Sequence, residues 1–308
     1  MKKIIVTGGA GFIGSHLVDH LVSLGHRVLV VDNLSTGKRE QIHPEAEFIR
    51  MDVLEQGLSD VFLQFRPEAV YHLAAQVSVF RSIEQPLMDA QINIMGTLAV
   101  LNACKAAVVR KFIYASSAAV YGYPEEKKIQ EKHVVKPLSF YGISKHTPEH
   151  YTALYRDLFG LDYTVLRYAN VYGGRQDAQG EGGVVSIFAS KLLLGEQPII
   201  YGTGEQTRDF IYVRDIVAAN IAALEKGGGL TMNISSNSSV SINGLLREMC
   251  SMCEIAFSPR YDPARSGDIQ NSVLDNRMAL QELKWSPVYS LRDGLKETLQ
   301  SYQSVICG

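Results

Sequence analysis

Tyr141 and Lys145 stand at i and i+4 in the stretch YGISK, so a helix there places both on one face. A surface contact is the ordinary fate of such a pair. The chemical alternative is that a lysine ammonium held near a phenol lowers its pKa and makes it a base. Gly8, Gly11 and Gly14 form a second constellation, GxxGxxG, between the apolar run KKIIVTG and the helical pattern FIGSHLVDHLVSLG. Glycines there let the backbone approach a pyrophosphate, whose charge then sits at a helix N-terminus. Asp32 closes the next apolar run at about the spacing of an acid that binds the adenosine ribose, and its carboxylate would repel a 2′-phosphate. NAD is therefore favoured over NADP, although Lys38 and Arg39 follow closely. Cys250 and Cys253 make a CxxC, but no second ligand pair is spaced for zinc, and INGLLREMCSMCEI reads as an amphipathic helix with both thiols on its buried stripe.

These residues need a scaffold, and the composition permits a large one. The 308 residues are 46% hydrophobic and 20% charged, with a formal net charge of −2 and four cysteines. That is a soluble globular composition without a disulfide framework. No long basic stretch points to nucleic acid, and no apolar run reaches the roughly 18 residues of a membrane span. The N-terminus turns at once into glycines and reads as a first strand, not a signal peptide, so a cytoplasmic protein is expected.

KKIIVTG, HRVLVVD, AEFIRMD, EAVYHLA, RKFIYASS and DYTVLRY read as strands buried on both faces, alternating with helical patterns. Repeated β-α-β units predict an α/β fold with a doubly wound parallel sheet. After about residue 170 the texture changes: a glycine-rich loop over 173–183, a helix at VVSIFASKLLLG, a turn at YGTGEQTRD and another helix near 214–226. LTMNISS reads as one more strand returning to the sheet, followed by a mainly helical stretch with a loop at YDPARSGDI. The expected division is a Rossmann-type cofactor lobe over 1–170, rejoined by segments near 209–236, and a smaller substrate lobe over 171–308.

The glycine spacing, YGISK, the serine in YASSAAVYG, and HLAAQ, NIMGT, RYANVYG and RDFIYV together resemble the extended short-chain dehydrogenase/reductase family over essentially the whole chain. The resemblance implies that Ser117, Tyr141 and Lys145 are catalytic and meet beside a nicotinamide. It further implies that Gly8, Gly11, Phe12, Ile13, Gly14, Asp32, Asn33, Thr36 and Gly37 contact NAD. Asp52, Val53, Leu73, Ala74, Ala75 and Tyr168 complete that cofactor set with Tyr141 and Lys145. Dehydratases and decarboxylases of this family carry an acidic residue after the catalytic serine, where this chain has Ala118 and Ala119. The resemblance is closest to UDP-glucose 4-epimerase-like members, which oxidise, rotate and reduce a UDP-hexose.

In that group, Asn170, Arg208, Arg265 and Asp268 match positions that bind the diphosphate and uridine ribose, alongside Ser117 and Tyr141. Ser272 matches the position that limits pocket size; a small residue there leaves room for an N-acetyl group and suggests UDP-GlcNAc/UDP-GalNAc, with UDP-Glc/UDP-Gal alongside. UDP-glucuronate epimerisation, or another nucleotide-sugar oxidoreductase reaction, is a second reading, with Arg81 as the extra cation. A non-catalytic NAD-sensing regulator is a third, although such proteins typically lose the tyrosine or the lysine.

By the same resemblance, amphipathic helices near 88–107 and 140–159 pair across a homodimer. One departure stands out. YGISK continues as HTPEHY, so Pro148 falls inside the expected helix, at a cost of about 3 kcal/mol or a kink that could shift Lys145. His146 and His150 flank it and, lacking an acidic partner, read as surface or interface residues; no metal is expected.

Overall fold

The structure, a computed structural model, describes residues 1–123, 128–178, 183–264 and 270–306. The six β-branched runs become β1 (Lys3–Thr7), β2 (Arg27–Asp32), β3 (Glu47–Arg50), β4 (Ala69–His72), β5 (Lys111–Ser117) and β6 (Asp162–Tyr168). Two short strands, β7 (Asn170–Tyr172) and β10 (Phe210–Tyr212), pair in parallel beside them. LTMNI forms β11 (Leu230–Ile234), which joins β6, so the seven-stranded sheet runs β11-β6-β5-β4-β1-β2-β3 with every pair parallel.

Side chains alternate across this sheet because the strand period is two. Ile4 and Val6 face one core, with Leu17, Val18 and Leu21 of α1 (Phe12–Ser23) and Ile216 and Val217 of α8 (Val213–Ala223). Ile5 faces the other, with Phe62 of α2 (Leu58–Phe65) and Leu101 and Cys104 of α5 (Gly96–Ala106). Helices therefore cover both faces, as near-continuous apolar strands require. The order reverses where β1 lies between β2 and β4, which opens a crevice beyond the carboxyl ends of β1 and β4.

A third core lies in the second half of the chain. It gathers Phe188 and Leu192 of α7 (Val184–Leu193), Leu246, Met249 and Cys250 of α9 (Ile242–Met252), and Leu295 and Leu299 of α11 (Leu291–Ile306). Cys250 is buried in it and Cys253 packs against it. Short strands edge this region: β8 (Ile199–Tyr201) with β13 (Arg260–Asp262), and β9 (Thr207–Arg208) between β12 (Val240–Ser241) and β14 (Asn271–Ser272). The short α10 (Arg277–Glu282) packs Ala279 back under the main sheet.

Before α5 the chain makes α3 (Val79–Glu84), α4 (Pro86–Ala90) and a π-helical turn, Gln91–Met95. After β5 comes α6 (Phe140–Phe159), capped by the Ser139 hydroxyl, which accepts from the Gly142 amide at 3.1 Å. Pro148 lies inside α6 without interrupting it, and Lys145 three residues earlier is buried.

Tertiary contacts hold this helix against the loss of one backbone bond. Glu149, buried one turn past Lys145, accepts from Ser116 Oγ at 2.6 Å, from Arg167 Nε at 2.9 Å and from Arg167 Nη2 at 2.5 Å. Burial raises the Glu149 carboxyl, but hydrogen bonds from Arg167, His146 and Ser116 outweigh it and hold it at about 2. This carboxylate therefore contributes stability above its unfolded value of 4.5, which is lost as pH falls towards about 2. Glu149→Ala leaves the Arg167 guanidinium buried and unpaired, and should destabilise the chain by about 3–5 kcal/mol in denaturant titrations at pH 7. The difference from wild type should shrink steadily as the titration is repeated from pH 4.5 down to 2.

Candidate active site

The glycine turn follows from steric exclusion. Gly8 adopts φ +72°, and a Cβ there would sit 2.5 Å from the Ala74 amide nitrogen. A Cβ on Gly14 would lie 2.1 Å from the Gly8 carbonyl oxygen. Gly11 caps α1 with no side-chain hydrogen bond, so the first-turn amides of α1 face the crevice beyond β1 and β4. Asp32 braces the turn from behind: Oδ2 accepts from the Ala10 amide at 3.0 Å and Oδ1 from the Leu34 amide at 2.8 Å.

The loop carrying Asn33, Thr36 and Gly37 folds back over the turn. The Lys38 amide donates to the Ala10 carbonyl at 3.0 Å, and Gly37 packs so closely that a Cβ would meet that of Ala10 at 2.8 Å. Asn33 Nδ2 donates to Asp52 Oδ2 at 2.7 Å, which ties in Asp52; Val53 beside it is buried under Gly96. Leu73, Ala74 and Ala75, partly buried, continue from β4 on the far side of the crevice. Phe12 and Ile13 pack against the third core. Arg39 is engaged elsewhere, its guanidinium 4.4 Å over the Phe48 ring.

Ser117 ends β5 and Tyr141 begins α6. Ser117 lies close enough to the Tyr141 phenol to oppose the rise in its pKa, and the Ser117 hydroxyl accepts from the Ala119 amide at 3.2 Å. The approach depends on Gly142, where a Cβ would lie 2.6 Å from the Ala119 carbonyl oxygen. Lys145 is buried one turn further along, its Nζ 5.0 Å from the Tyr114 ring centroid. Ser117 at the carboxyl end of β5 thus lies close to Tyr141, with Lys145 one turn along the same helix.

The electrostatics there differ from the expectation that Lys145 lowers Tyr141. In the chain itself, burial raises the Tyr141 phenol, Ser117 opposes this, and Asp89 raises it further. Burial pulls Lys145 down to about 8 against the attraction of Asp89 and Glu149. His72, beneath the turn, is brought down to about 3 by burial and by Lys145, so it stays neutral between Thr7 Oγ1 at 2.7 Å and Thr97 Oγ1 at 3.0 Å.

Residues expected at the sugar nucleotide cluster in part. Arg208 on β9 and Ser272 on β14 are register partners, both half-buried. Asn170 opens β7, with its main chain donating to the Asp209 carbonyl at 2.9 Å. The stretch after Ser272 runs beside the catalytic serine's loop: Leu274 packs with Val120, Tyr121 and Ile129, and Ala118 joins that cluster. Arg265 and Asp268 lie outside the described residues. Tyr168 needs correction. It stands opposite Ser117 in the sheet, but its ring is in the core with its hydroxyl on Asn220 Oδ1 at 2.9 Å, so its side chain is not available to a cofactor.

The profile of the NAD dependent epimerase/dehydratase family matches residues 4–235. The chain belongs to this family. Among relatives, a putative UDP-glucose 4-epimerase of Methanocaldococcus jannaschii is 42% identical over 299 residues, covering 96% of this chain and 97% of the relative. The UDP-glucose 4-epimerase of Thermotoga maritima, solved with UDP-glucose, superposes with a TM-score of 0.97 at 43% identity over 99% of each chain. A UDP-N-acetylglucosamine 4-epimerase of Methanobrevibacter ruminantium, solved with UDP-N-acetylmuramic acid, gives 0.95 at 37% identity, again over 99% of each. NAD is the family's cofactor, and the cradle of Gly8, Gly11 and Gly14, which any Cβ would fill, fits its pyrophosphate.

Sequence reasoning about this epimerase-family chain missed the layer behind Lys145. Asp89 Oδ1 accepts from Gln76 Nε2 at 2.7 Å and Asn93 Nδ2 at 3.2 Å, and Asn93 Nδ2 also donates to Ser144 Oγ at 2.9 Å. Asp89 Oδ2 is buried without a hydrogen-bond partner. The π-helical turn carries Asn93 into this network, and only its presence within NIMGT hinted at a role. Gly14→Ala should force the turn open: the variant should purify with little or no NAD, measured by absorbance of the acid-released nucleotide, while wild type retains it.

Proposed function

We propose that this nucleotide-sugar epimerase inverts C4 of UDP-N-acetylglucosamine and UDP-N-acetylgalactosamine, with UDP-glucose and UDP-galactose as a second pair. The observation that carries the reading is Ser117 at the end of β5, close to Tyr141 on the helix that also carries buried Lys145, and followed by Ala118 and Ala119, which offer no acid to expel a hydroxyl. NAD would be held by the glycine turn, Asp32 and Lys145 and would supply the hydride exchange at C4 of the sugar.

The chain's own residues handle the proton and the grip. Tyr141 takes the 4-hydroxyl proton and returns it on the other face, and Ser117, bonded to the same oxygen, orients that hydroxyl. The Lys145 ammonium stabilises the phenolate. Arg208, with Asn170 and with Arg265 and Asp268 from the adjoining segment, holds the nucleotide and diphosphate, a task suited to guanidinium forks. The sugar itself is held loosely enough to turn over. Ser272, paired with Arg208 in the sheet, leaves space for the N-acetyl group. In this division residues 1–170 with returning segments near 209–236 form the cofactor lobe, and 171–308 the sugar-nucleotide lobe. Arg81 is exposed on α3 beside exposed Phe80 and Ile83, a setting that gives no support to a carboxylate-bearing sugar.

A second copy of the chain covers α6 in this reading. Phe140, Ile143, Tyr151, Leu154 and Leu158 are all exposed at spacings of three, four or eight along one helix stripe, and Leu87 and Met95 are exposed on the neighbouring helices. Leu158→Glu should shift the sedimentation coefficient from dimer towards monomer. A wild-type protein that sediments as a monomer at micromolar concentration would refute the pairing.

Purified protein given UDP-N-acetylglucosamine without added NAD should show the C4-inverted product by proton NMR. Tyr141→Phe should keep its NAD and lose roughly 10²–10⁴-fold in kcat. Ser272→Tyr should abolish turnover of the N-acetyl sugar and spare UDP-glucose. Conversion of UDP-glucose alone by wild type would retain the epimerase and remove the N-acetyl assignment.

A further inference from the structure

The residues assigned to the nucleotide end of the substrate come from separate stretches of chain, and one buried carboxylate joins those stretches. Asp209 stands between β9 and β10, directly after Arg208, and is fully buried. Its Oδ1 accepts from the Ser236 amide at 2.9 Å and from Ser236 Oγ at 2.7 Å, just past the end of β11. Its Oδ2 makes a longer contact, accepting from the Leu274 amide at 3.4 Å shortly after Ser272. Its main-chain carbonyl accepts from the Asn170 amide at 2.9 Å and from Asn170 Nδ2 at 3.3 Å. Ser235 Oγ donates to the Leu274 carbonyl at 2.9 Å, so the two outer segments are also tied to each other.

We propose that Asp209 is the positioning residue of the sugar-nucleotide grip: it sets Arg208 and Asn170 against the stretch that carries Ser272, and so governs diphosphate affinity without touching the diphosphate. The role rests on the assignment of Arg208 and Asn170 to the diphosphate. β9 spans only Thr207–Arg208, too short for its pairing with Val240 and Ser272 to hold the arginine by itself.

The position requires a carboxylate. Two amides and a hydroxyl converge on it, all as donors. Ser236 Oγ gives its proton to Asp209 and therefore accepts from Ser238 Oγ at 2.7 Å. Burial raises the Asp209 carboxyl to about 6 although the hydrogen bonds from Ser236 and Leu274 oppose it, so at pH 8 those donors face an anion. An asparagine would accept at one oxygen only. With that oxygen on Ser236, its amide group would meet the Leu274 N–H donor against donor, and the tie to the Ser272 stretch would be lost. None of the ties made by Asp209 runs to β5, α6 or the glycine turn, so the cofactor and the proton-transfer step lie outside its reach.

The test is calorimetric titration of the full-length protein, NAD retained, with UDP at pH 8, alongside steady-state kinetics on the sugar nucleotide. UDP carries the diphosphate common to both sugar pairs, so the result does not depend on which sugar is turned over. Asp209→Asn should weaken UDP binding about 10-fold and raise KM by a similar factor, lowering kcat far less, in protein that still purifies with NAD. Ser236→Ala, at a half-buried position, removes one donor to Oδ1 and should weaken UDP about threefold, which decides the matter should Asp209→Asn not fold. Unchanged UDP affinity in the folded variants, whatever their melting temperature, would overturn the role of Asp209. Arg208→Ala should weaken UDP by about 10–100-fold, and wild-type affinity there would instead remove the diphosphate assignment beneath it.

Discussion

Glu149 sits where one helix and two strands meet, and its carboxylate joins all three. It accepts from Ser116, the penultimate residue of β5, and from Arg167, the penultimate residue of β6, while belonging to α6. Ser117 is the next residue of β5, and Lys145 lies one turn earlier in α6. A shift of α6 along the sheet would therefore break the ion pair before it separated Tyr141 from Ser117. Placing two charges in a core costs several kcal/mol per ion unless the pairing is close and complete. Here the remaining acceptor sites are used by Ser116 and His146, and the guanidinium reaches on to the Tyr121 hydroxyl at 2.8 Å. The arrangement fixes geometry even where it adds little net stability, and a proton relay needs fixed geometry.

The same anchoring explains how Pro148 is tolerated. A proline in a helix interior removes a bond and crowds the carbonyl four residues back. In α6 the proline is flanked by tertiary ties: Ser144 to Asn93 on one side, Glu149 to Arg167 on the other, and Thr152 Oγ1 to the Pro148 carbonyl at 2.7 Å. Packing supplies what the backbone lacks. Helical stability in a folded chain comes mainly from such contacts, so propensity alone overstated the disruption.

Much of the scaffold was legible because its causes are local. The β-branched runs declare buried strands, and the glycine turn declares itself by excluding any side chain. Ser117, Tyr141 and Lys145 came from motifs that resemble a known family, and the structure sets Ser117 at the end of β5 and Tyr141 and Lys145 one turn apart in α6. What escaped depends on distant pairing. Nothing in RYANVYG shows that Arg167 will meet a glutamate from another element, and nothing in QPLMDAQINIMGT announces a π-helical turn that buries Asp89 against Asn93. Tyr168 failed for a different reason: a motif position fixes the main chain, but side chains alternate along a strand, and this one points into the core. The expectation at Tyr141 included the positive ring of NAD⁺; in the chain by itself burial raises the phenol.

That last difference shows what the buried carboxylates contribute. A phenol raised by burial serves as a base only when positive charge is brought close to it, and NAD⁺ brings a positive ring. The same ring acts on Lys145 as a like charge, and Lys145 is already pulled down to about 8 by burial. If the lysine lost its proton, the site would give up one of the two cations that hold the phenolate. Asp89 and Glu149, both buried, oppose that loss. The carboxylates that a dehydratase places in front of the tyrosine are absent here, replaced by Ala118 and Ala119. In the proposed mechanism Ala118 and Ala119 offer no acid to expel a hydroxyl, so one proton is removed and returned, as epimerisation requires.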